Sequence, residues 1–513
     1  MSLKLEKKTV DIAEQIEKTK MRIPTLNRMQ LLEQEQIEKL HNSCIQVLKT
    51  VGVIFHEPEA VEIFKKHGFQ VEGSTVFLNE RQIMDALETA PSQFEIRARN
   101  PGKSVTIGGN RAVLSPGWEA PYVIDIHGNR RRSTMDDSSL LYKLVQTSPY
   151  LDMVASSMVV PGDIPAERAT SEQLARCLSL TDLPLTTNPC SRKSARETVD
   201  MAAIVWGSRE AVTESPVSIV SVNPLSPLSY GPEAAGGLIE FARAGQALLI
   251  SSMVMAGLNG PVTLAGTAVI EMAESLSGTV LAQLVRPGVP CVFGGTSSSA
   301  DLRHGSPIIG SPELIKLMGI STQMSRFYGL PCRYGGGLTD AHFPDMQAGI
   351  ESALAIALSS ISGVHFMHQA CGILGTYMSM NLEKFVIDEE IGGYVKNVLQ
   401  PVEISDVSLA LDSIKSVGGG GNFLTDPLTA ARCRTEFFMP RLAQRINYYE
   451  WEKKGKKDVV AMASEHVNER LKSYVKPDLD PSVVKDLFHY SQTEYGTDNA
   501  SFPTRQTNKP ERR

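Results

Sequence analysis

The stretch PCRYGGGLTDAHFPDMQAGIESALAIALSSI, residues 331–361, holds one complete structural unit. Residues 331–335 form a short segment that reads as a buried strand. A glycine-opened loop carrying Asp340, His342 and Phe343 follows, and residues 346–361 place apolar side chains at helical spacing. The same rhythm recurs on both sides. Residues 290–294 precede a helical stretch at 312–327, and residues 364–370 form the next strand candidate. Upstream, strands are expected at 153–160, 185–189, 217–222 and 248–255. An eighth falls at 112–115 or at 418–423. Repeated strand–helix units imply a parallel sheet with helices outside it. Seven or eight of them predict the α/β class in its (β/α)8 TIM-type barrel form. An open dinucleotide-binding sheet is disfavoured because no GxGxxG follows an early strand. The run Gly418 to Gly421 has no clear strand before it, so it is weak evidence for a phosphate loop.

Outward from the barrel, residues 1–110 read as a helical and α+β region. A charged segment runs to Leu26 and reads as an arm or a frayed surface helix. Then come a helix at 31–51, a strand at 53–55, a helix at 58–67, a strand at 71–78 and a helix at 80–90. Residues 111–425 are assigned to the barrel. Residues 426–513 are expected to hold helices at 428–450 and 459–475 and a Pro- and charge-rich tail, serving as a cap or oligomer contact.

With 513 residues, 42% hydrophobic and 21% charged, the chain has the composition of a well-packed globular protein. Its net charge of −6, with no basic stripe outside the tail, argues against nucleic-acid binding. Seven scattered cysteines without a CxxC pair, and no signal-like start, predict a reduced, cytoplasmic protein. The longest apolar stretch, about 247–270, is broken by Gly257, Asn259, Gly260 and Pro261, so no membrane span is expected.

In such barrels the chemistry sits at the C-terminal ends of the strands. That rule selects Gly294 and Gly295 through Arg303 and His304, the loop from Gly335, Gly336 and Gly337 to Asp345, and His368, Gln369 and Gly372. It also selects Asn188, Cys190, Asn223, Pro224 and Ser226. Glycine-rich loops either make tight turns or let a bulky partner approach the backbone. A zinc site needs three or four converging ligands. Only Cys190 and Cys371 lie near strand ends on that face, so no metal is expected. Asp340-Ala341-His342 starts like the cobalamin-ligating pattern DxHxxG, but Asp345 replaces its glycine and no doubly wound domain follows. A corrinoid-binding domain within this chain is therefore rejected. GxSxG and Walker A patterns are absent.

At this point the sequence resembles the trimethylamine methyltransferase family over roughly residues 31–449. The resemblance is carried by Leu40-His41-Asn42-Ser43-Cys44, Val51-Gly52-Val53, Phe55, Pro58-Glu59-Ala60 and Gly294-Gly295. The segment from Leu338 to Gly349 and the glycine run before Asn422-Phe423 complete it. Its most specific part is Thr339-Asp340-Ala341, Pro344-Asp345 and Gln347-Ala348-Gly349. The resemblance implies a (β/α)8 barrel that passes a methyl group from an amine to Co(I) in a separate corrinoid protein, binding no corrinoid alone.

The founding branch of the family carries pyrrolysine, and the resemblance places His342 at that position. A quaternary ammonium already bears full charge and leaves as a neutral amine. The missing pyrrolysine therefore points to quaternary donors such as glycine betaine, proline betaine or carnitine. A betaine site needs aromatic faces for the ammonium and an arginine or a set of donors for the carboxylate. The candidates are Trp118, Tyr122, Phe343 and Tyr377 for the first. Arg303, then Arg333, are the candidates for the second, with His368 as a further substrate contact. His342 and Asp340 are the candidate catalytic pair, with a helix cap as the alternative role for His342. Gly335, Gly336, Gly337, Gly294 and Gly295 are the candidate glycines for close approach of the corrinoid. A homo-oligomer is expected. A cytosolic osmolyte-binding protein and a tertiary-amine methyltransferase are the competing readings. A Schiff-base aldolase is disfavoured because no lysine lies at a strand end.

Overall fold

Eight short strands pair in parallel and in chain order: β1 Arg111–Leu114, β2 Val154–Ala155, β3 Leu185–Thr187, β4 Ser218–Val222, β5 Ala247–Ile250, β6 Cys291–Gly294, β7 Cys332–Arg333 and β8 Phe366–Met367. β8 pairs with β1 through Phe366 and Val113. Between β1 and β2 the amides of Asp152 and Met153 donate to the Leu114 carbonyl at 3.0 and 3.2 Å. The Asp152 carboxylate accepts the Leu114 amide at 3.0 Å, which closes the sheet into a (β/α)8 barrel. This computed structural model describes residues 23–24, 29–187 and 191–493. The charged N-terminal segment, apart from Ile23–Pro24, lies outside those residues, as do Asn188 and Cys190.

Each strand is followed by an outer helix: α1 Met135–Gln146, α2 Ala166–Leu180, α3 Arg192–Trp206, α4 Pro232–Arg243, α5 Leu264–Val285, α6 Pro312–Phe327, α7 Met346–Ser362 and α8 Leu382–Leu399. Five of the eight starts carry side-chain caps, for example Ser311 on the Leu314 amide and Asn381 on the Lys384 amide. Asp345 caps α7 through the Ala348 amide, so His342 is not its cap. α5 is the one described helix long and apolar enough to cross a membrane, and 83% of its most apolar window is buried. It is a wall helix covered by the helices Gln34–Thr50 and Glu80–Leu87.

The helices and the first strand expected between residues 31 and 90 are present as Gln34–Thr50, Val53–Phe55, Pro58–Lys66 and Glu80–Leu87, with two additions. The strand expected at 71–78 is a hairpin, Gln70–Glu72 with Thr75–Phe77, turning at Gly73 with φ +62°. A second hairpin, Phe94–Ile96 with Val105–Ile107, stoppers the barrel. Its Phe94, Ile96, Val105 and Ile107 pack with Val113, Met153, Ile219, Leu249, Val292 and Phe366 from the strands. The N-terminal end of the barrel is thus apolar and dry.

One open alternative is resolved and two expectations are corrected. The eighth strand is Arg111–Leu114, and Gly418 instead ends a short helix, Leu411–Val417. The continuous helix expected at 428–450 is two six-residue helices, Pro427–Arg432 and Tyr448–Lys453, with irregular chain between them. The stretch after 475 contains a further helix, Pro481–Gln492, which packs on α2 and α3, while Val459–Ser473 packs on α8 and α1.

Candidate active site

One layer above the apolar stopper, the inward positions change character. Ser115, Thr186, Ser221, Ser251, Arg333 and His368 are all buried there. Residues alternate along a strand, so Phe366 in the stopper layer puts His368 inward one layer nearer the C-terminal end. Ser115 and Thr186 hydroxyls lie 2.9 Å apart across β1 and β3. Arg333 Nη1 donates to Ser251 Oγ at 3.1 Å and to the Gly295 carbonyl at 2.8 Å. Its Nη2 lies 3.4 Å from His368 Nδ1.

This last contact fixes the histidine. Arginine only donates, so Nδ1 accepts and Nε2 carries the proton. Burial, then the Arg333 charge, hold the His368 pKa well below its usual value, keeping the ring neutral. His368 Nε2 and Arg333 Nε are both buried without a hydrogen-bond partner, and so is the Tyr377 hydroxyl. Burial raises the Tyr377 phenol while Arg333 and Thr296 pull it back. Among the described residues no carboxylate lies within ion-pair distance of Arg333. A buried, unpaired guanidinium is costly. Beside it, the unpaired Nε2–H of His368 leaves a second buried donor without a partner among the described residues.

Trp118 closes one side. Its ring meets His368 edge-on, with centroids 4.3 Å apart. Its backbone amide donates to Gln369 Oε1 at 3.0 Å. Gln369 itself sits at φ +65°, a left-handed conformation that non-glycine residues seldom adopt. Sequence reasoning placed Gln369 after a strand but missed this role; a side chain bonding a distant backbone amide leaves no periodic signal.

The remaining candidates are distributed differently. Arg303 lies in the turn of a hairpin, Ser298–Asp301 with Ser306–Ile308, that extends beyond β6. Its side chain is 84% exposed and is held by Asp301 at 3.0 and 2.9 Å. His342 is exposed and packs beside Gly375. Asp340 accepts from the Ile309 and Gly310 amides and from Thr376 Oγ1, at 2.7–3.1 Å, so its carboxylate pins three loops together. Phe343 packs with Ile124, Ala341, Ala348 and Leu374 in a small satellite cluster. The Tyr122 ring is covered by the guanidinium groups of Arg130 and Arg132 at 4.4 and 4.8 Å. The structure brings none of these five into the Arg333 layer.

The glycines are explained by packing. A Cβ on Gly336 (φ +120°) would lie 2.4 Å from the His368 carbonyl, and one on Gly335 would overlap Ser359 Oγ. Gly294, Gly295 and Gly337 would meet the carbonyls of Arg333, Ser252 and Ala370 at 2.2–2.5 Å. The Cβ direction of each is filled by a neighbouring strand, helix or loop, so at all five positions glycine permits close backbone packing. The Gly337 carbonyl also accepts from Lys384 Nζ at 3.3 Å. Lys384 pairs with Asp388, whose other oxygen accepts the Gly372 amide at 2.8 Å. This buried pair on α8 holds the loops after β7 and β8.

Behind the wall, Glu271 on α5 is buried and accepts from Tyr334 Oη at 3.3 Å. Burial raises its pKa from 4.5 to about 7, against the pull of Ser297, Ser321 and Tyr334. A raised carboxyl favours the fold while protonated, so its contribution is fully present below pH 4.5. It is lost as pH rises towards 7. Glu271→Gln is therefore expected to match wild-type stability at pH 4.5 and exceed it by about 2–3 kcal/mol at pH 8. Urea unfolding at both pH values measures this; a difference that does not change with pH would refute it.

An (β/α)8 barrel with a polar, donor-rich layer at the strands' C-terminal ends and an apolar stopper beneath it defines an enzyme of the barrel class. A model of the trimethylamine methyltransferase family (MTTB) matches residues 4–495. The chain belongs to that family and is a methyltransferase. It is 36% identical to a glycine betaine methyltransferase of Desulfitobacterium hafniense (strain Y51), over 89% of this chain and 95% of the relative. It is 33% identical to a proline betaine:corrinoid methyltransferase of Eubacterium limosum, over 86% and 93%. Among solved structures, the monomethylamine methyltransferase of Methanosarcina barkeri superposes with a TM-score of 0.52 at 12% identity, covering 92% of this chain and 93% of that one. This supports the shared fold.

Proposed function

We propose that this chain demethylates a zwitterionic quaternary amine of the betaine class and passes the methyl group to Co(I) of a corrinoid held by a separate protein. The observation that carries the substrate class is Arg333, a buried guanidinium with no carboxylate partner among the described residues, flanked by the free Nε2–H of His368. A substrate carboxylate supplies the missing partner. Arg333 and His368 then hold the anionic end, while Trp118 and Tyr377 offer aromatic faces to the ammonium. The names of the two betaine-specific relatives support the same reading.

The corrinoid supplies the nucleophile. The chain's own task is to bind, orient and keep the donor dry. The C–N bond breaks with its electron pair going to nitrogen, so the amine leaves neutral and needs no proton from the protein. That chemistry asks no general acid of the aromatic residues beside the ammonium. His342, exposed on its loop, is not required for it. The six described cysteines are free, in keeping with the cytoplasm as the compartment.

The test is methylation of reduced free cobalamin by the purified chain with a panel of donors. Glycine betaine, proline betaine or carnitine is expected to outpace both choline and trimethylamine. Choline keeps the trimethylammonium and lacks the carboxylate. Leaving the buried donors unpaired costs about 1.5–3 kcal/mol, a discrimination of roughly 10- to 150-fold. Equal rates with choline would remove the carboxylate site, and equal rates with trimethylamine would remove the quaternary requirement.

A further inference from the structure

His368 and Gln369 are consecutive residues after β8, and both engage Trp118 in the loop after β1. The His368 and Trp118 ring centroids lie 4.3 Å apart, and Gln369 Oε1 accepts the Trp118 amide at 3.0 Å. In an extended chain, consecutive side chains point to opposite faces. The left-handed backbone of Gln369, at φ +65°, lets both reach one residue. A buried glutamine holds that conformation only where its surroundings outweigh the strain.

The backbone bonds of the β1 loop leave Trp118 in need of such a partner. The amides of Ser115 and Gly117 donate to the Met367 and Cys371 carbonyls, in the β8 loop, at 3.0 and 2.9 Å. The Ala370 amide returns a bond to the Ser115 carbonyl at 2.9 Å. The amides of Glu119 and Ala120 donate instead to the Ser157 and Met158 carbonyls, in the loop after β2, at 2.8 and 3.2 Å. Trp118 stands where the chain changes from one neighbour to the other, and its buried amide goes to the Gln369 side chain. Left without an acceptor, that amide would be costly to bury.

The same bond restricts the Trp118 ring. On one side, a Cβ at Gly117 would lie 2.5 Å from Ile373 Cγ1 and 2.8 Å from the Cys371 carbonyl, so the loop is pressed against its neighbour. On the other, Glu119 is left-handed at φ +56°. With the chain fixed on both sides and the amide fixed by Gln369, the ring stays edge-on against His368.

We infer that Gln369 is a positioning residue for methyl transfer: by holding the Trp118 amide it sets the aromatic face against which the donor's ammonium is aligned, an assignment that rests on Trp118 being that face. The clamp at Arg333 fixes only the other end of the donor, and the methyl carbon must still point in line with its acceptor.

Gln369→Met keeps the side-chain length and removes the acceptor. Its kcat for the preferred donor is expected to fall roughly 10- to 100-fold, the scale of a misplacement of about 1 Å. KM should change far less, because Arg333 and His368 still bind the carboxylate. Gln369→Gly removes the acceptor and the left-handed strain together. It is expected to lose kcat as Gln369→Met does while unfolding at a urea concentration no lower than the wild type. Trp118 itself reports the cause. With Trp206→Phe and Trp451→Phe it is the last of the three tryptophans. In that background, without substrate, both variants are expected to show faster acrylamide quenching and lower anisotropy of its fluorescence. Unchanged Trp118 fluorescence, or wild-type kcat alongside altered fluorescence, would overturn the inference. So would loss of folding in both variants, which would make the bond purely structural. Failure of the betaine reading shows instead in the wild-type donor panel and leaves the fluorescence results untouched.

Discussion

Arg333→Met is expected to lower kcat/KM for the preferred betaine by roughly 30- to 4,000-fold, chiefly through KM. Truncating one partner of a buried, hydrogen-bonded charge pair costs about 2–5 kcal/mol, and about 1.4 kcal/mol is tenfold. Methionine is the informative replacement because it is flexible and apolar and fills much of the space. It removes the anion clamp without leaving a new buried charge. Turnover of choline should fall far less, since choline has no carboxylate to lose. Arg303→Ala serves as the contrast. That side chain is 84% exposed and engaged by Asp301, so its removal should leave both parameters unchanged. Steady-state methylation of cobalamin with the two donors distinguishes the cases. Wild-type kinetics for the betaine in Arg333→Met would show that the carboxylate, if there is one, is held elsewhere.

The contrast between these two arginines shows how far the sequence could be read. Loop position correctly puts Arg303 at the catalytic end of the barrel. What loop position cannot show is that Ser298–Asp301 and Ser306–Ile308 pair into a hairpin that carries the turn outward. Arg333 was legible in another way. It stands in an otherwise uncharged strand, where a charge is costly unless it has a use. The barrel strands were found because doubly buried parallel strands are short apolar runs. The first strand stayed ambiguous between 112–115 and 418–423 because four to six residues carry no periodicity to separate them. The stopper hairpin went unread because Phe94, Ile96, Val105 and Ile107 supply only two apolar positions per strand. In the C-terminal part, apolar residues at roughly helical spacing imitated a buried helix, while the chain there is mostly exposed. His342 and Asp340 lie in the most family-specific string, yet Asp340 pins loops and His342 faces outward. A distinctive motif marks a demanding backbone as readily as a reacting group.

The support beneath the site leads to the second large effect. Lys384 and Asp388 are among the most buried charges in the barrel, one turn apart on α8. Lys384 also donates to Ser352 Oγ at 2.9 Å. Asp388→Leu leaves an ammonium with two neutral acceptors and no counter-charge, and frees the Gly372 amide. Removing one partner of such a pair costs about 3–5 kcal/mol. Replacing both, Asp388→Leu with Lys384→Met, is expected to recover most of the loss, because a paired apolar substitute carries no desolvation penalty. The single variant should therefore unfold at much lower urea than the double. The double should regain stability while losing turnover, since Gly337 and Gly372 open the loops after β7 and β8 that flank Arg333 and His368. Equal stability of single and double variants would mean that the pair contributes through packing volume alone. Full turnover in a stable double variant would mean that the loops hold their shape without it.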